Sequence, residues 1–395
     1  MADQSFTNLD FENVKQNLKN YLKGQDRFKD YDFEGSNMNV LLDVLAYNTF
    51  QNNFYTNMAI SEMFLDSAQI KDSVVSHAKE LNYLPRSRRS SNAVLSVSFF
   101  PTDTPPTIVI PEKTKFTARC GTSIYSFYNN EAYIVKPDGA GNYVANDVNV
   151  FEGRYIEEFY QVDGTESQRF ILNNNTLDTS SIRVFVKENQ NSIIETEYLY
   201  RDSIFDVDQN SEIFYLQPFR DNRYEIVFGK NLFGVQPSNG NVIRVEYRLT
   251  AGESANGIQT ISLESDIDGI SSTTTVVSVS SGGAERESIE SIKYFAPKSI
   301  QIQERAVTEN DYGILLQNAF PEVKSTSVYG GERLDPPRYG KVVIAAYTND
   351  NEIIRDSESQ RYTEYLAERT PLTVEPIIVP AKFMYVNVAS SVFFD

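Results

Sequence analysis

Residues 224–256 read YEIVFGKNLFGVQPSNGNVIRVEYRLTAGESAN. Two strand-like runs, 224–228 and 242–249, enclose a segment that is punctuated by glycine and proline. Glycine adopts positive φ without steric cost and proline fixes φ, so this spacing predicts tight turns between paired strands. The predicted structural turn residues are Gly229, Gly234, Pro237 and Gly240. The stretch holds no obvious nucleophile or metal ligand, which favours an architectural role.

Many short strands surround this stretch. From residue 93 onward apolar residues alternate with serine, as at Leu95, Val97 and Phe99. Further candidate strands, separated by turn-forming clusters, lie at 107–110, 124–128, 169–172, 182–187 and 212–216. Short strands with alternating faces predict a central antiparallel β-rich domain over residues 91–250. Residues 251–284, rich in Ser, Thr and Gly, are interpreted as an extended connector.

The first 90 residues predict three helices. Asp10 caps the first, Ser36 or Asn37 opens the second, and Pro85 ends the third. The second helix is apolar nearly all round, which indicates burial from several sides. We expect it to pack against helices of another chain in a small inter-subunit bundle; the alternative is an internal cap on the following domain. The interface candidates on this helix are Leu41, Leu45, Tyr47, Phe50, Phe54 and Met58.

Residues 285–395 alternate between helix and strand patterns, and we expect an α+β domain. One helix is predicted to stop at Pro297, and a capping box of Thr308 and Asp311 starts another. The chain closes on KFMYVNVASSVFFD, an alternating strand pattern without a following partner. We therefore expect an incomplete final sheet and a domain truncated at its C-terminal end. The predicted class is multidomain α+β: an N-terminal helical bundle segment, a central antiparallel β-rich domain and a C-terminal α/β domain.

The amino-acid composition restricts the kinds of covalent, metal and catalytic site that the chain can form. With one cysteine, Cys120, and one histidine, His77, neither an internal disulfide nor a closed zinc site is feasible. His77 lies in a helical-looking run without a nucleophile elbow, so we expect no catalytic residue, metal or cofactor. Carboxylate pairs such as Glu157 and Glu158 could serve a glycosidase, yet acids are too abundant for any pair to be informative.

The net charge of the chain limits which partners it can bind. The 395 residues hold 36 Lys and Arg against 54 Asp and Glu, a net charge of −18, which disfavours nucleic acid and anionic membranes as partners. Apolar runs are too short for a membrane span, and the N-terminus lacks the order of a secretory signal. Arg86, Arg88 and Arg89 form the one compact basic cluster; it could dock an acidic partner or be a solvated connector.

Two markers together resemble a known family. VFGKNLFGVQPSNGNVIRVEYRLTAGESAN resembles the glycine-rich strand–turn segment of baseplate J-like proteins of contractile-tailed phages. GGAERESIESIKYFAPKSIQIQERAVTENDY resembles the family's second marker, and SNMNVLLDVLAYNTFQNNFYTNMAISEMFLDSA is similar to the start of its large myophage form, the baseplate wedge proteins. One departure is Lys230-Asn231, where the family often carries Asp-Gly.

The resemblance implies a structural subunit of the tail baseplate without catalytic residues. Its N-terminal helices would bundle with a second copy and another wedge protein, and its C-terminal part would join neighbouring wedges into a ring around the hub. The ring would rearrange when sheath contraction is triggered. The protein would assemble in the host cytoplasm and reside in the virion. The alternatives are an acidic tail-associated polysaccharide or cell-wall hydrolase, and a component of a contractile injection system outside a phage.

Overall fold

The computed structural model describes residues 10–25, 35–165, 168–202, 207–320, 322–348, 354 and 356–382. The predicted terminal strand, 383–395, lies outside these residues. The chain divides into two compact units, Met1–Glu80 and Leu81–Asp395. Helices in the first unit, a large β-rich region and a smaller helix-and-sheet region confirm the mixed α+β class.

The first unit is helical, with α1 at Phe11–Lys23, α2 at Asn37–Glu62 and α3 at Lys71–Glu80. The Asp10 side chain accepts from the amide of Glu12 at 2.9 Å and caps α1, as its position in the sequence predicts. The Glu62 carboxylate accepts from the amides of Gln69 and Ile70. This side chain therefore satisfies amides just before α3.

The second unit holds eighteen described strands and three helices. The strands are β1 Asn92–Phe100, β2 Ile108–Ile110, β3 Lys115–Cys120, β4 Ser123–Asn129, β5 Tyr133–Val135, β6 Tyr143–Glu152, β7 Arg154–Gln161, β8 Phe170–Ile171, β9 Leu177–Lys187, β10 Glu195–Tyr200, β11 Ile213–Phe219, β12 Arg223–Val227, β13 Val242–Leu249, β14 Ile261–Leu263, β15 Ser271–Ser281, β16 Val323–Gly330, β17 Lys341–Thr348 and β18 Glu375–Pro380. The helices are α4 Ile289–Ile302, α5 Glu309–Ala319 and α6 Asp356–Ala367.

A six-stranded antiparallel sheet has the order β14-β3-β4-β6-β1-β15. Its two edges approach each other, because the Thr274 hydroxyl on β15 donates to the Ile261 carbonyl on β14 at 2.6 Å. The sheet is thus barrel-like. Residues 251–284, interpreted from sequence as a connector, supply both edge strands and contribute Ile258 and Ile261 to the apolar core.

A seven-stranded sheet has the order β7-β13-β9-β10-β11-β12-β8, in which only β10 and β11 run parallel. Its edges also meet: the Tyr160 hydroxyl on β7 donates to the Ile171 carbonyl on β8 at 2.8 Å. Tyr247, Phe214 and Ile243 are fully buried in its core. The two runs of the opening stretch are strands β12 and β13 of this sheet.

The third part packs α5 and α6 on a sheet of order β16-β17-β18, where β17 and β18 are parallel. Thr308 and Asp311 form the predicted capping box at the start of α5. The predicted stop at Pro297 is wrong, since α4 continues through it to Ile302. A proline inside a helix costs about 3 kcal/mol. Burial of Ala296 and Ile302 on either side offsets part of that cost.

Candidate interaction surfaces

Helix α2 exposes an apolar surface along its length. At 26 residues it is roughly 39 Å long at the usual rise per residue. Within the first unit it buries Leu42 and Ala46, and α1 packs on it with Val14 buried. Its exposed large apolar side chains are Val40, Leu41, Val44, Leu45, Tyr47, Phe54, Tyr55 and Met58. Water therefore contacts a surface whose composition is that of a protein interior.

Five of the six sequence-predicted candidates on α2 belong to this surface. Leu41, Leu45, Tyr47, Phe54 and Met58 are exposed, whereas Phe50 is half-buried. Val40, Val44 and Tyr55 belong to it as well, although they were not among the candidates. Their signal was present in the sequence, because a helix that is apolar nearly all round exposes apolar positions wherever a neighbouring element does not cover it.

The arginine cluster bonds within the second unit. The Arg86 Nη1 donates to the Gln317 carbonyl at 2.9 Å, and the Arg89 Nη1 donates to the Ala319 carbonyl at 3.1 Å. Both carbonyls lie in the last turn of α5, where main-chain acceptors lack helical partners and the helix dipole favours cations. Arg88 pairs with Glu285 at 2.8 Å. Arg86 and Arg89 thus cap a helix of their own chain, and Arg88 forms an ion pair within the same unit.

Around these arginines, residues 83–91 contact both sheets and the C-terminal helices. The Tyr224 hydroxyl on β12 donates to the Pro85 carbonyl at 3.0 Å. The Ser90 amide donates to the Asp178 carboxylate on β9 at 2.8 Å, and the Glu152 amide on β6 donates to the Ser91 carbonyl at 2.8 Å. One short segment thus holds three parts of the second unit.

Ion pairs also join the two sheets. The Lys113 Nζ, just before β3, contacts the Glu246 carboxylate on β13 at 2.8 Å. Burial alone raises the pKa of Glu246, but hydrogen bonds from Lys113 and Arg244 outweigh it and leave that pKa below its ordinary value. Burial raises the pKa of Glu152, whose carboxylate accepts from the Thr250 hydroxyl at 2.7 Å. These charges act as structural contacts between β6, β13 and their neighbours.

The glycine turn is closed by its own backbone. The Phe233 amide donates to the Gly229 carbonyl at 3.0 Å, and a Cβ at Gly229 would lie 1.7 Å from the Phe233 carbonyl oxygen. Gly234 and Gly240 have φ of +110° and +89°. Pro237 is buried between them. These four residues shape the path from β12 to β13, and their conformations fit glycine and proline.

The side chains considered as catalytic candidates make structural contacts, each within its own unit. The His77 Nε2 lies 2.9 Å from the Glu62 carbonyl, which joins α3 to the end of α2. Glu157 and Glu158 are consecutive on β7 and so face opposite sides of the sheet. Glu157 contacts Arg244 at 3.4 Å, whereas Glu158 accepts from the Tyr247 hydroxyl.

The described ranges hold neither a metal-binding cluster nor a membrane-spanning helix. Across these ranges, no group of three or more His, Cys, Asp or Glu side chains could hold a metal ion. Among the helices in the same ranges, none has the length and apolar character that a membrane crossing requires.

Comparison with known proteins agrees with this structural character. Residues 10–83 match the helical domain of gp6-like baseplate wedge proteins, and residues 308–379 match C-terminal domain I of the baseplate structural protein gp6. The baseplate wedge protein gp6 of Enterobacteria phage T4 is 26% identical over 408 residues, covering 95% of this chain and 59% of the relative. The chain thus spans somewhat more than half the length of that relative.

Two solved assemblies are also similar. A six-fold symmetrised cryo-EM structure of the anti-feeding prophage baseplate gives a TM-score of 0.34 at 11% identity, covering 93% of this chain and 70% of that chain. A cryo-EM structure of the TssK–TssF–TssG baseplate subcomplex of the type VI secretion system gives a TM-score of 0.40 at 7% identity. This match covers 86% of this chain and 95% of that chain.

These sequence matches show similarity to baseplate wedge proteins. Within that class, residues 10–83 and 308–379 are similar to two domains of gp6-like proteins. The resemblance drawn from the sequence markers is confirmed at this level.

Proposed function

We propose that the protein is a structural subunit of a tail baseplate wedge, resident in the virion and assembled in the host cytoplasm, and that α2 is its main assembly surface. The observation that carries the proposal is the row of exposed apolar side chains on α2. Full burial of an exposed apolar side chain is worth about 1.5–3 kcal/mol, and these half-exposed side chains would gain roughly half of that each. Burial against other helices supplies that gain, which favours a permanent interface.

A second copy of the chain and a further wedge protein are the proposed bundle partners of the helical region, 1–90. The match of residues 10–83 to the helical domain of gp6-like baseplate wedge proteins, and the relative's description as a baseplate wedge protein, support this assignment. The half-exposed polar side chains among the aromatics, such as Gln51, suit specific contacts across such an interface. The proposal places the α+β region, 285–395, at the contacts that join neighbouring wedges into a ring, which rearranges when contraction is triggered.

The test is the mass of the intact chain in solution, by light scattering after size exclusion. We expect the wild type to self-associate and Leu45→Glu to remove the α2-dependent association, because a carboxylate would be buried in an apolar bundle. Leu45 is 53% exposed, so the substitution removes only part of the packing within its own unit. The matched control is Leu232→Glu on an exposed turn of the second unit. Equal association of both variants would reject α2 as the assembly surface.

A further inference from the structure

The second unit builds its six-stranded sheet from two separate stretches of the chain. Strands β1, β3, β4 and β6 precede the seven-stranded sheet in the sequence, and β14 and β15 follow it. The described chain therefore passes four times between the six-stranded sheet and the rest of the unit. The four passing segments, together called the junction, are residues 89–91, 152–153, 249–252 and 283–284. Contacts among these segments determine whether the two sheets can move independently.

The first three junction segments contact one another through their backbones. The Glu152 amide donates to the Ser91 carbonyl at 2.8 Å. Gly153 joins β6 directly to β7 with a φ of +136°, and a Cβ there would lie 2.6 Å from the Leu249 carbonyl oxygen. Only glycine allows so close an approach. The end of β13 and the connection from β6 to β7 are therefore packed directly against each other.

The fourth segment is bonded to the first and packed on the third. The amides of Arg89 and Ala284 each donate to the other residue's carbonyl, at 3.0 and 3.2 Å. A Cβ at Gly283 would lie 2.5 Å from the Gly252 carbonyl oxygen. The Asn256 side chain also accepts from the Gly283 amide at 2.9 Å and donates to the Gly283 carbonyl at 2.8 Å. The four segments thus contact one another in a closed ring.

Buried polar groups cross the same boundary between the sheets. Arg248 on β13 is 2% exposed, and its Nη1 donates to the Asn130 side chain just after β4 at 3.1 Å. Its guanidinium lies 4.6 Å from the centre of the Phe151 ring on β6. The Glu152 carboxylate on β6 accepts from the Thr250 hydroxyl after β13 at 2.7 Å. Separating the sheets would take each of these buried groups from its partner, which is strongly unfavourable.

A second contact joins the two sheets away from the junction. The Lys113 Nζ, just before β3, pairs with the Glu246 carboxylate on β13 at 2.8 Å. The adjacent Glu112 pairs with the Arg183 Nη1 on β9 at 2.9 Å. Glu246 precedes Leu249 by three positions on β13, which is roughly 10 Å along the strand. Two contacts at this separation prevent a rotation that either one alone would permit.

We infer that the junction and this second contact lock the angle between the two sheets, so that both sheets move as one rigid lever. Hinges in proteins are a few loop or terminal residues that absorb large changes in φ and ψ. The junction lies where such a hinge would be, but its lateral bonds and close contacts oppose those changes. The inference rests on the proposed function and deepens it: the rearrangement of the ring is accommodated outside the two sheets.

The test is the distance between two spin labels in the intact chain, measured by pulsed electron paramagnetic resonance. The first label is placed on Cys120, the single cysteine of the sequence, which is exposed on β3. The second is placed at Gln161→Cys, an exposed position at the end of β7 away from the junction. Dilution with unlabelled chain removes distances between copies. We expect one narrow distance distribution, because a locked angle fixes the separation of two labels that both lie on strands.

The lock itself is tested by Lys113→Met combined with Thr250→Val. The first change removes the ion pair of the second contact, and the second removes the hydroxyl that bonds Glu152 while keeping the shape of the side chain. We expect the distance distribution to broaden about twofold or more. The matched control is Lys115→Met combined with Thr250→Ser. The Lys115 Nζ pairs with Glu264 at 2.8 Å beside β3 and β14, within the six-stranded sheet, and serine keeps the hydroxyl. The control should stay narrow.

A broad or two-peaked distribution in the labelled chain without further changes overturns the inference, because the sheets would then move independently. A double variant whose distribution stays as narrow as that of the control also overturns it. If the double variant does not fold, Lys113→Met alone, at a partly exposed side chain, takes its place in the same comparison. The distances are measured within one chain, so a negative result leaves the α2 proposal standing. Rejection of α2 through Leu45→Glu would in turn leave these distances unchanged.

Discussion

The Tyr83 hydroxyl donates a hydrogen bond of 2.9 Å to the Glu287 carboxylate, which joins two residues 204 positions apart in the sequence. The Ser291 hydroxyl and the Arg86 amide donate to the same carboxylate, at 2.6 and 3.0 Å. Glu287 is buried, so its charge depends on these donors. Burial raises the pKa of Tyr83 above its ordinary value, and the phenol therefore stays a donor at neutral pH. This contact anchors the segment that holds both sheets and the C-terminal helices.

Tyr83→Phe is expected to destabilise the second unit by about 2 kcal/mol, the usual cost of removing a hydrogen bond to a charged group. The ring remains, so packing is preserved and the loss reports the hydroxyl. The measurement is the denaturant midpoint of the intact chain. Tyr339→Phe, which changes a hydroxyl in solvent, serves as the comparison and should leave the midpoint unchanged. Equal midpoints for all three proteins would show that the contact contributes nothing.

Substituting Gly229 or Gly240 by alanine is expected to reduce the stability of the protein by different amounts. Gly229→Ala places a Cβ 1.7 Å from the Phe233 carbonyl oxygen, so the turn must open, at a cost of about 3 kcal/mol or more. Gly240→Ala meets open space, and its φ of +89° costs only about 1–2 kcal/mol. Thermal unfolding of the two variants measures the difference. A Gly240 variant as destabilised as the Gly229 variant would contradict the close-contact account.

Patterns among neighbouring residues were sufficient to predict several helix starts and strands of the fold. Asp10, Ser36 and the Thr308–Asp311 pair marked helix starts because each cap needs only neighbouring residues. Alternation at Leu95, Val97 and Phe99 marked β1 because one face of a strand repeats every second residue. The exposed apolar surface of α2 was also expected, since its pattern leaves no polar face.

Long-range packing could not be read from the same patterns. β15 is rich in Ser and Thr because it lies at a sheet edge with much of its length exposed, and this composition imitates a connector. The helix through Pro297 depends on burial that only the tertiary structure supplies. The sequence showed the positive charge of the arginine cluster but not the carbonyl groups that accept its hydrogen bonds. These carbonyls lie more than 200 positions away in α5.

The Glu195 carboxylate is expected to make the stability of the fold depend on pH. Hydrogen bonds from Arg244, and from Lys187 more weakly, lower the pKa of the Glu195 carboxyl below its ordinary value of 4.5. The folded state therefore binds fewer protons than the unfolded state, and the contribution is fully present above pH 4.5. It is lost as the pH falls through the folded pKa.

Glu195→Gln is accordingly expected to cost about 1 kcal/mol at pH 7 and progressively less at acidic pH, because the wild-type carboxyl is then protonated too. Urea unfolding of the wild type and the variant at several pH values measures the stability loss at neutral pH and its decrease at acidic pH. The control is Glu253→Gln, an exposed side chain without an ion pair among the described residues. A stability difference that stays constant from neutral to strongly acidic pH would refute the assignment.

Arg86→Lys tests the helix-capping role of the arginine cluster while conserving charge. The guanidinium donates to the Gln317 carbonyl at 2.9 Å and the Ser291 hydroxyl at 3.2 Å, and it lies 5.6 Å from the centre of the Phe295 ring. An ammonium cannot reproduce this planar fork, so the substitution is expected to cost about 1–2 kcal/mol. Hydrogen exchange of α5 should rise at its last turn.

Arg119→Lys is the matched control for Arg86→Lys, because that side chain is exposed on β3. If capping of α5 were unimportant and only positive charge mattered, both substitutions would leave stability and exchange unchanged. A loss confined to Arg86→Lys requires the fork geometry itself, since net charge is identical in the two variants. That result would assign the cluster to holding α5 against the segment that begins the second unit.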